Sequence, residues 1–269
     1  MRVDIGGCGI EVEDRGKGMA VVLLHGFPLG AGTWTPIRPG VAQAARLITP
    51  DLRGFGRSDK PAGCYSMDAL ADDVAAIADA LGLDRFVLGG HSMGGYVALA
   101  FAERHPHRLA GLILIDTRAE ADTAEGLGRR RAVIERVRRD GGAGFLDEFV
   151  PNLLCAATRA RAPRHVAELR AIAAEVPDHV LIGCQQGMMA RHDRLSLLPA
   201  LDVPALVLVG QDDTITPPEA SRAMAAALPR ATLVVIPEAG HSPMVERPMA
   251  TADAIVTFLR GIPPEAVES

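Results

Sequence analysis

The strongest chemical signal in the chain is a serine inside the pentapeptide Gly90-His91-Ser92-Met93-Gly94. The apolar run Phe86-Val87-Leu88 precedes it, and Tyr96-Val97-Ala98-Leu99-Ala100 follows it. A strand that breaks sharply into a helix presents such a serine hydroxyl at the corner. Gly90 and Gly94 lack Cβ atoms, so the two arms of the corner can approach closely. The helix N-terminus behind Ser92 favours negative charge in front of it, which suits a nucleophile whose attack generates an oxyanion. A glycine-rich turn with an incidental serine would share the pentapeptide, so the remaining equipment has to separate the two readings.

A serine hydroxyl needs a base at neutral pH. Of eight histidines, His241 is the best placed, in Pro237-Glu238-Ala239-Gly240-His241-Ser242-Pro243 just past the apolar run Thr232–Ile236. His105 and His107 end a helical stretch, and His165, His179 and His192 lie in a long segment without strands. His91 adjoins Ser92, but the turn directs it away from the hydroxyl. His25 reads as a structural turn residue. The base in turn needs a carboxylate to hold its tautomer and stabilise the imidazolium. Asp212 and Asp213, in Gly210-Gln211-Asp212-Asp213-Thr214-Ile215-Thr216-Pro217, are both candidates, and Asp116 after another apolar run is a third. The order Ser92, Asp213, His241 is that of one hydrolase class, whereas Asp212 also suits a turn residue bonding its own backbone. An oxyanion site completes the set. The turn in Leu24-His25-Gly26-Phe27-Pro28 can aim the Phe27 N–H at the crevice, alongside that of Met93; Pro28 has no N–H to give.

These groups converge only if the elements before them end at one edge. Short apolar runs at 21–24, 46–49, 85–89, 112–115, 205–209 and 232–236 each stop at such a residue or turn. Runs of this kind suit parallel strands covered on both faces. Leu70, Val74, Ile77 and Leu81 recur at helical spacing, with Ser66 as N-cap and Gly82 as the stop. Helical patterns also cover 97–101, 220–228 and 250–259. Strand and helix alternate, which predicts an α/β fold with a mostly parallel, doubly wound sheet. Residues 117–199 break the alternation. They are rich in Arg, Ala and Glu, are interrupted at Gly141-Gly142, Pro151, Pro163 and Pro177, and are too long for a plain loop. They read as about four short helices inserted as a cap, with the core contributed by 1–116 and 200–269. Phe145, Phe149, Leu153, Met188 and Met189 are candidates to line a pocket beneath it.

Composition narrows the partners. The net charge of −5 and pI of about 5.9 argue against nucleic acid or an anionic membrane surface. The cluster Arg129, Arg130, Arg131, Arg136, Arg138 and Arg139 fits a solvated helix face better than a phosphate site. Cys8, Cys64, Cys155 and Cys184 form no C-x-x-C pair, and scattered cysteines suit a reducing compartment. With no signal-like N-terminus and no long apolar stretch, a cytoplasmic protein is expected. No oligomeric state is indicated.

Together the motifs resemble the α/β-hydrolase family over nearly the whole chain. The match includes His25-Gly26-Phe27-Pro28, the segment Asp51-Leu52-Arg53-Gly54-Phe55-Gly56-Arg57-Ser58-Asp59, the corner around Ser92, Gly210-Gln211-Asp212-Asp213 and Gly240-His241. The resemblance implies a structural role for Asp51 and Arg53 and makes Asp213 the acid position. It disfavours haloalkane dehalogenases and epoxide hydrolases, whose nucleophile is an aspartate. The pattern is similar to esterases, cofactor-free haloperoxidases (perhydrolases) and enol-lactonases. Pro28 looks like the perhydrolase pattern, while His91 and Met93-Gly94-Gly95-Tyr96 look like esterases or lactonases. The implied function is a serine hydrolase of small carboxylic esters or lactones without metal or organic cofactor. Alternatives are perhydrolysis, or a lyase using the same three residues for acid–base chemistry.

Overall fold

The computed structural model describes residues 1–263. Within them the chain forms strands β1 (Arg2–Asp4), β2 (Gly9–Arg15) and β3 (Ala20–Leu24), helix α1 (Arg38–Ala44), β4 (Arg46–Pro50), α2 (Met67–Ala80), β5 (Phe86–His91), α3 (Met93–Arg104) and β6 (Leu109–Ile115). Helices α4 (Ala124–Asp140), α5 (Gly142–Phe149), α6 (Ala156–Arg161), α7 (Pro163–Ala173) and α8 (Asp178–Met189) come next. The chain ends with β7 (Ala205–Gly210), α9 (Pro218–Ala227), β8 (Ala231–Ile236), α10 (Pro243–Glu246) and α11 (Pro248–Arg260).

All eight strands join one sheet in the order β1-β2-β4-β3-β5-β6-β7-β8. From β4 to β8 every pairing is parallel; the β1–β2 and β2–β4 pairings are antiparallel, so β2 alone runs against the rest. The six parallel strands are those read as continuous apolar runs. β5, β6 and β7 are buried at every position, as expected for strands with helices on both faces. The N-terminal pair escaped the sequence reading because β2 is half-buried. Ile10 and Val12 face the core while Glu11 and Glu13 face outward, so it shows alternation rather than an apolar run. Ser66 caps α2 by accepting from the Ala69 N–H at 3.1 Å, and the helix ends before Gly82, whose φ is +65°.

Between β6 and β7 the structure has five α-helices, with 3₁₀ turns at Val150–Leu153 and Leu195–Ala200, rather than about four helices. Two of the interrupting prolines mark helix boundaries. Pro163 opens α7 at its first turn and Pro177 is the N-cap of α8, positions where a missing N–H is tolerated. Five of the six clustered arginines form ion pairs: Arg129 with Glu125, Arg130 with Asp122, Arg136 with Glu148, Arg138 with Glu135 and Arg139 with Asp140. Among the described residues no helix is long and apolar enough to cross a membrane.

Candidate active site

The carboxyl ends of β3, β5, β6, β7 and β8 bring five short segments to one edge of the sheet. Ser92 stands between β5 and α3 with φ 52° and ψ −114°. A left-handed serine is strained by about 1–3 kcal/mol and needs its surroundings to hold it. Its N–H donates to the Ile115 carbonyl at 2.9 Å, and its own carbonyl accepts from the Thr117 hydroxyl at 2.8 Å. A Cβ at Gly90 would collide with the Gly94 carbonyl, and one at Gly94 with the Leu24 carbonyl. Both positions therefore require glycine. Ser92 is half-buried, while Asp213 and His241 are almost wholly buried.

The loops after β7 and β8 join these two. His241 Nδ1 donates to Asp213 Oδ2 at 2.8 Å, and the Thr216 hydroxyl donates to the same oxygen at 2.6 Å. Asp213 Oδ1 accepts from the N–H groups of Ile215 and Thr216 at 2.8 and 3.1 Å. Burial alone would raise the Asp213 pKa. The His241 ring, the Thr216 hydroxyl and Asp116 outweigh it and hold the carboxylate well below its usual range. Asp212 is exposed and takes no part. Asp116, Asp213 and His241 each place a potential donor atom within 4.8 Å of the others, a spacing that a cation could bridge. The donor set argues for hydrogen bonds instead, because four protein donors already occupy Asp213 and one of them is His241.

Several neighbours position the loop that carries His241. His91 Nε2 lies 2.6 Å from the His241 carbonyl, which can only accept, so Nε2 carries the proton. Burial, and then the adjacent His241 ring, depress the His91 pKa to about 3. Glu246 accepts from the Gly240 N–H at 2.7 Å and the Cys155 N–H at 2.9 Å, tying this loop to the helical excursion. The sequence reading missed Glu246, Thr216 and Thr117. A carboxylate or hydroxyl acting on backbone or on a partner side chain leaves no periodic signal. Thr216 alone lies within the loop 210–217 that carries the acid candidates.

On the other side, the turn after β3 packs against Ser92: a Cβ at Gly26 would lie 3.1 Å from the Ser92 Cβ. Among the described residues, neither the Phe27 N–H nor the Met93 N–H has a protein acceptor. His25 is structural. Its Nε2 accepts from the Leu52 N–H at 3.0 Å and its Nδ1 donates to the Gly26 carbonyl at 3.1 Å. Asp51 and Arg53 brace the same edge, Asp51 accepting from the N–H groups of Ala31 and Arg57, and Arg53 pairing with Asp73.

The sequence matches the alpha/beta hydrolase family over residues 21–254. The chain belongs to that family. It is similar to a thermophilic esterase from Thermogutta terrifontis, at 44% identity and a TM-score of 0.93 over 97% of this chain and 99% of that one. The enol-lactonase from Burkholderia xenovorans LB400 is 26% identical, with a TM-score of 0.90 over 97% of this chain and all of the other. A 2-hydroxymuconate semialdehyde hydrolase of Pseudomonas sp. (strain CF600) is 30% identical, over 94% of this chain and 91% of its own length. The protein is thus a hydrolase of the α/β-hydrolase superfamily with esterase and lactonase relatives.

Proposed function

We propose that the protein is a serine hydrolase that cleaves small carboxylic esters or lactones through an acyl-enzyme. The observation that carries this reading is the buried His241–Asp213 hydrogen bond of 2.8 Å, set at the sheet edge where Ser92 occupies its left-handed corner. The esterase and enol-lactonase relatives support the substrate class.

In this reading Ser92 Oγ attacks the carbonyl carbon and His241 Nε2 takes its proton. Asp213 holds Nδ1–H and stabilises the imidazolium. The free N–H groups of Phe27 and Met93 receive the developing oxyanion. His241 then passes the proton to the leaving alcohol. Water, deprotonated by the same ring, releases the acid. Residues 117–199 form a cap on a core made of 1–116 and 200–269. Of the five candidate pocket residues, Phe145 and Phe149 line a cavity, whereas Leu153 and Met188 are packed in the core and Met189 faces a separate surface depression.

The test is Ser92→Ala in the purified chain. Hydrolysis of p-nitrophenyl esters is expected to fall by several orders of magnitude, with the fold intact by circular dichroism. Near-wild-type turnover would overturn the assignment. A lyase on the same residues would form no acyl-enzyme, so a pre-steady-state burst together with phosphonate labelling at Ser92 separates the two.

A further inference from the structure

A cavity of about 290 Å³ borders the proposed site, with Tyr96, Arg118, Arg130, Phe145, Phe149 and Ile215 in its walls. Chain connectivity fixes its place. Tyr96 lies one turn along α3 from Ser92, and Ile215 lies two residues past Asp213. The rings of Phe145 and Phe149 sit 6.2 and 6.0 Å from that of Phe27. The walls thus draw on the helix that follows Ser92, the loop that carries Asp213 and the aromatic pair beside Phe27, and their aromatic and aliphatic surface suits an acyl stem.

One wall carries three arginines, Arg118, Arg129 and Arg130, with a single carboxylate, Asp122, among them. Arg129 is paired with Glu125, and Arg130 shares Asp122 with Arg191 while also donating to Gln185 at 3.0 Å. Arg118 differs from these. Its Nη2 donates to the Ile215 carbonyl at 2.6 Å, which fixes the guanidinium. Among the described residues it forms no ion pair, and its Nε is buried without an acceptor. Glu120, two residues on, forms no ion pair with it among the described residues; Arg191 donates to the Glu120 backbone carbonyl at 3.0 Å, and the Glu120 Oε2 is buried without a partner. A guanidinium stays charged at any working pH, and a buried donor without an acceptor is destabilising. An anchored, half-buried, unpaired guanidinium in a cavity wall is matched to a carboxylate.

We propose that the cavity takes esters whose acyl chain ends in a second, ionised carboxylate, half-esters of small dicarboxylic acids, with Arg118 as the partner of that carboxylate. The proposal rests on the ester-hydrolase reading of the same site. The apolar walls hold the methylene stem, and Arg118 holds the tip. The relation between tip and nucleophile then selects the chain length.

Two measurements test it. The first compares kcat/KM for mono-p-nitrophenyl glutarate with that for p-nitrophenyl valerate, which matches its chain length but is neutral. The anionic-to-neutral ratio is expected to fall at least about tenfold in Arg118→Gln, to recover in part in Arg118→Lys, and to fall with added salt in the wild type. The second uses the Ser92→Ala chain, where glutarate should raise the melting temperature more than valerate does, and should lose this advantage when Arg118→Gln is added. An unchanged ratio in Arg118→Gln, or equal melting shifts from the two acids, overturns the proposal. If valerate ester is hydrolysed but the ratio ignores Arg118, the anion site fails and the hydrolase reading survives. If neither ester is hydrolysed but glutarate still binds through Arg118, the reverse holds.

Discussion

Asp116 and Asp213 end neighbouring strands with carboxylate oxygens within 4.8 Å of one another, both almost wholly buried. Two such groups cannot both ionise at little cost. Asp213 keeps the charge because His241, Thr216 and two backbone N–H groups donate to it. Asp116 accepts only from the Gly210 N–H at 2.9 Å, and its Oδ2 has no donor. Burial, and then the charge on Asp213, push its pKa well above the usual 3.8. Asp116 is therefore the protonated member of the pair, and its proton faces Asp213.

This sets the sign of a stability effect. Above about pH 4 the unfolded chain loses the Asp116 proton while the native chain keeps it, so the wild type loses stability as pH rises, by up to about 1.4 kcal/mol per unit until the native group titrates. An asparagine in its place cannot ionise in either state, and its amide can still donate to Asp213. Asp116→Asn is expected to gain stability relative to the wild type between about pH 4 and 7 in urea denaturation. A difference that stays flat across that range would contradict the neutral state of Asp116.

The same pair separates two carboxylates that the sequence alone left as alternatives. Only Asp213 bonds the His241 ring. Asp213→Asn should slow acylation by about 10⁴, the loss expected when the acid that holds the histidine tautomer is removed. Asp116→Asn should slow it far less. Burst kinetics with a p-nitrophenyl ester measure both, and a larger loss in Asp116→Asn would move the acid to β6.

What was legible follows from how each element is built. The parallel strands read as apolar runs because helices cover both their faces, and the candidates Ser92, Asp213 and His241 could be placed at one sheet edge because each follows such a run. β2 was missed because one face meets solvent. The Glu246–Cys155 bond and the bond from His91 to the His241 carbonyl were missed because they span long sequence separations, 91 and 150 residues. Only the folded sheet edge brings them together. Arg118 was equally invisible, since an unpaired arginine is defined by the absence of a carboxylate in space.

His91 gives a second pH effect of opposite sign. Its native pKa of about 3 lies below the ordinary value of 6.5. Below about pH 6.5 the unfolded chain takes up a proton that the native chain refuses, so the stability associated with His91 is present above that pH and is lost as pH falls toward about 3. In His91→Gln the amide can still donate to the His241 carbonyl but cannot be protonated. Relative to the wild type, this variant is expected to gain up to about 1.4 kcal/mol per pH unit between about pH 6.5 and 4. Parallel denaturation curves for the two chains at about pH 7 and 4.5 would sink this account.

Phe145 and Phe149 link the helical excursion to the chemistry. Their rings stack on each other with centroids 5.3 Å apart, and both face Phe27, whose N–H is a proposed oxyanion donor. Phe145 is buried and Phe149 half-buried, and both line the cavity. Truncating either to Ala removes aromatic wall and lengthens the space available to an acyl stem. Phe145→Ala should also destabilise the fold by about 3–5 kcal/mol if the cavity does not collapse. Phe149→Ala should cost less, since its ring is already partly wetted. For Phe149→Ala the profile of kcat/KM across p-nitrophenyl acetate, butyrate, hexanoate and octanoate is expected to move toward longer chains, with labelling of Ser92 by a small phosphonate kept. A parallel drop across all four esters would instead mean that the ring only holds Phe27 in place. A profile identical to the wild type would show that residues 117–199 do not select the acyl group.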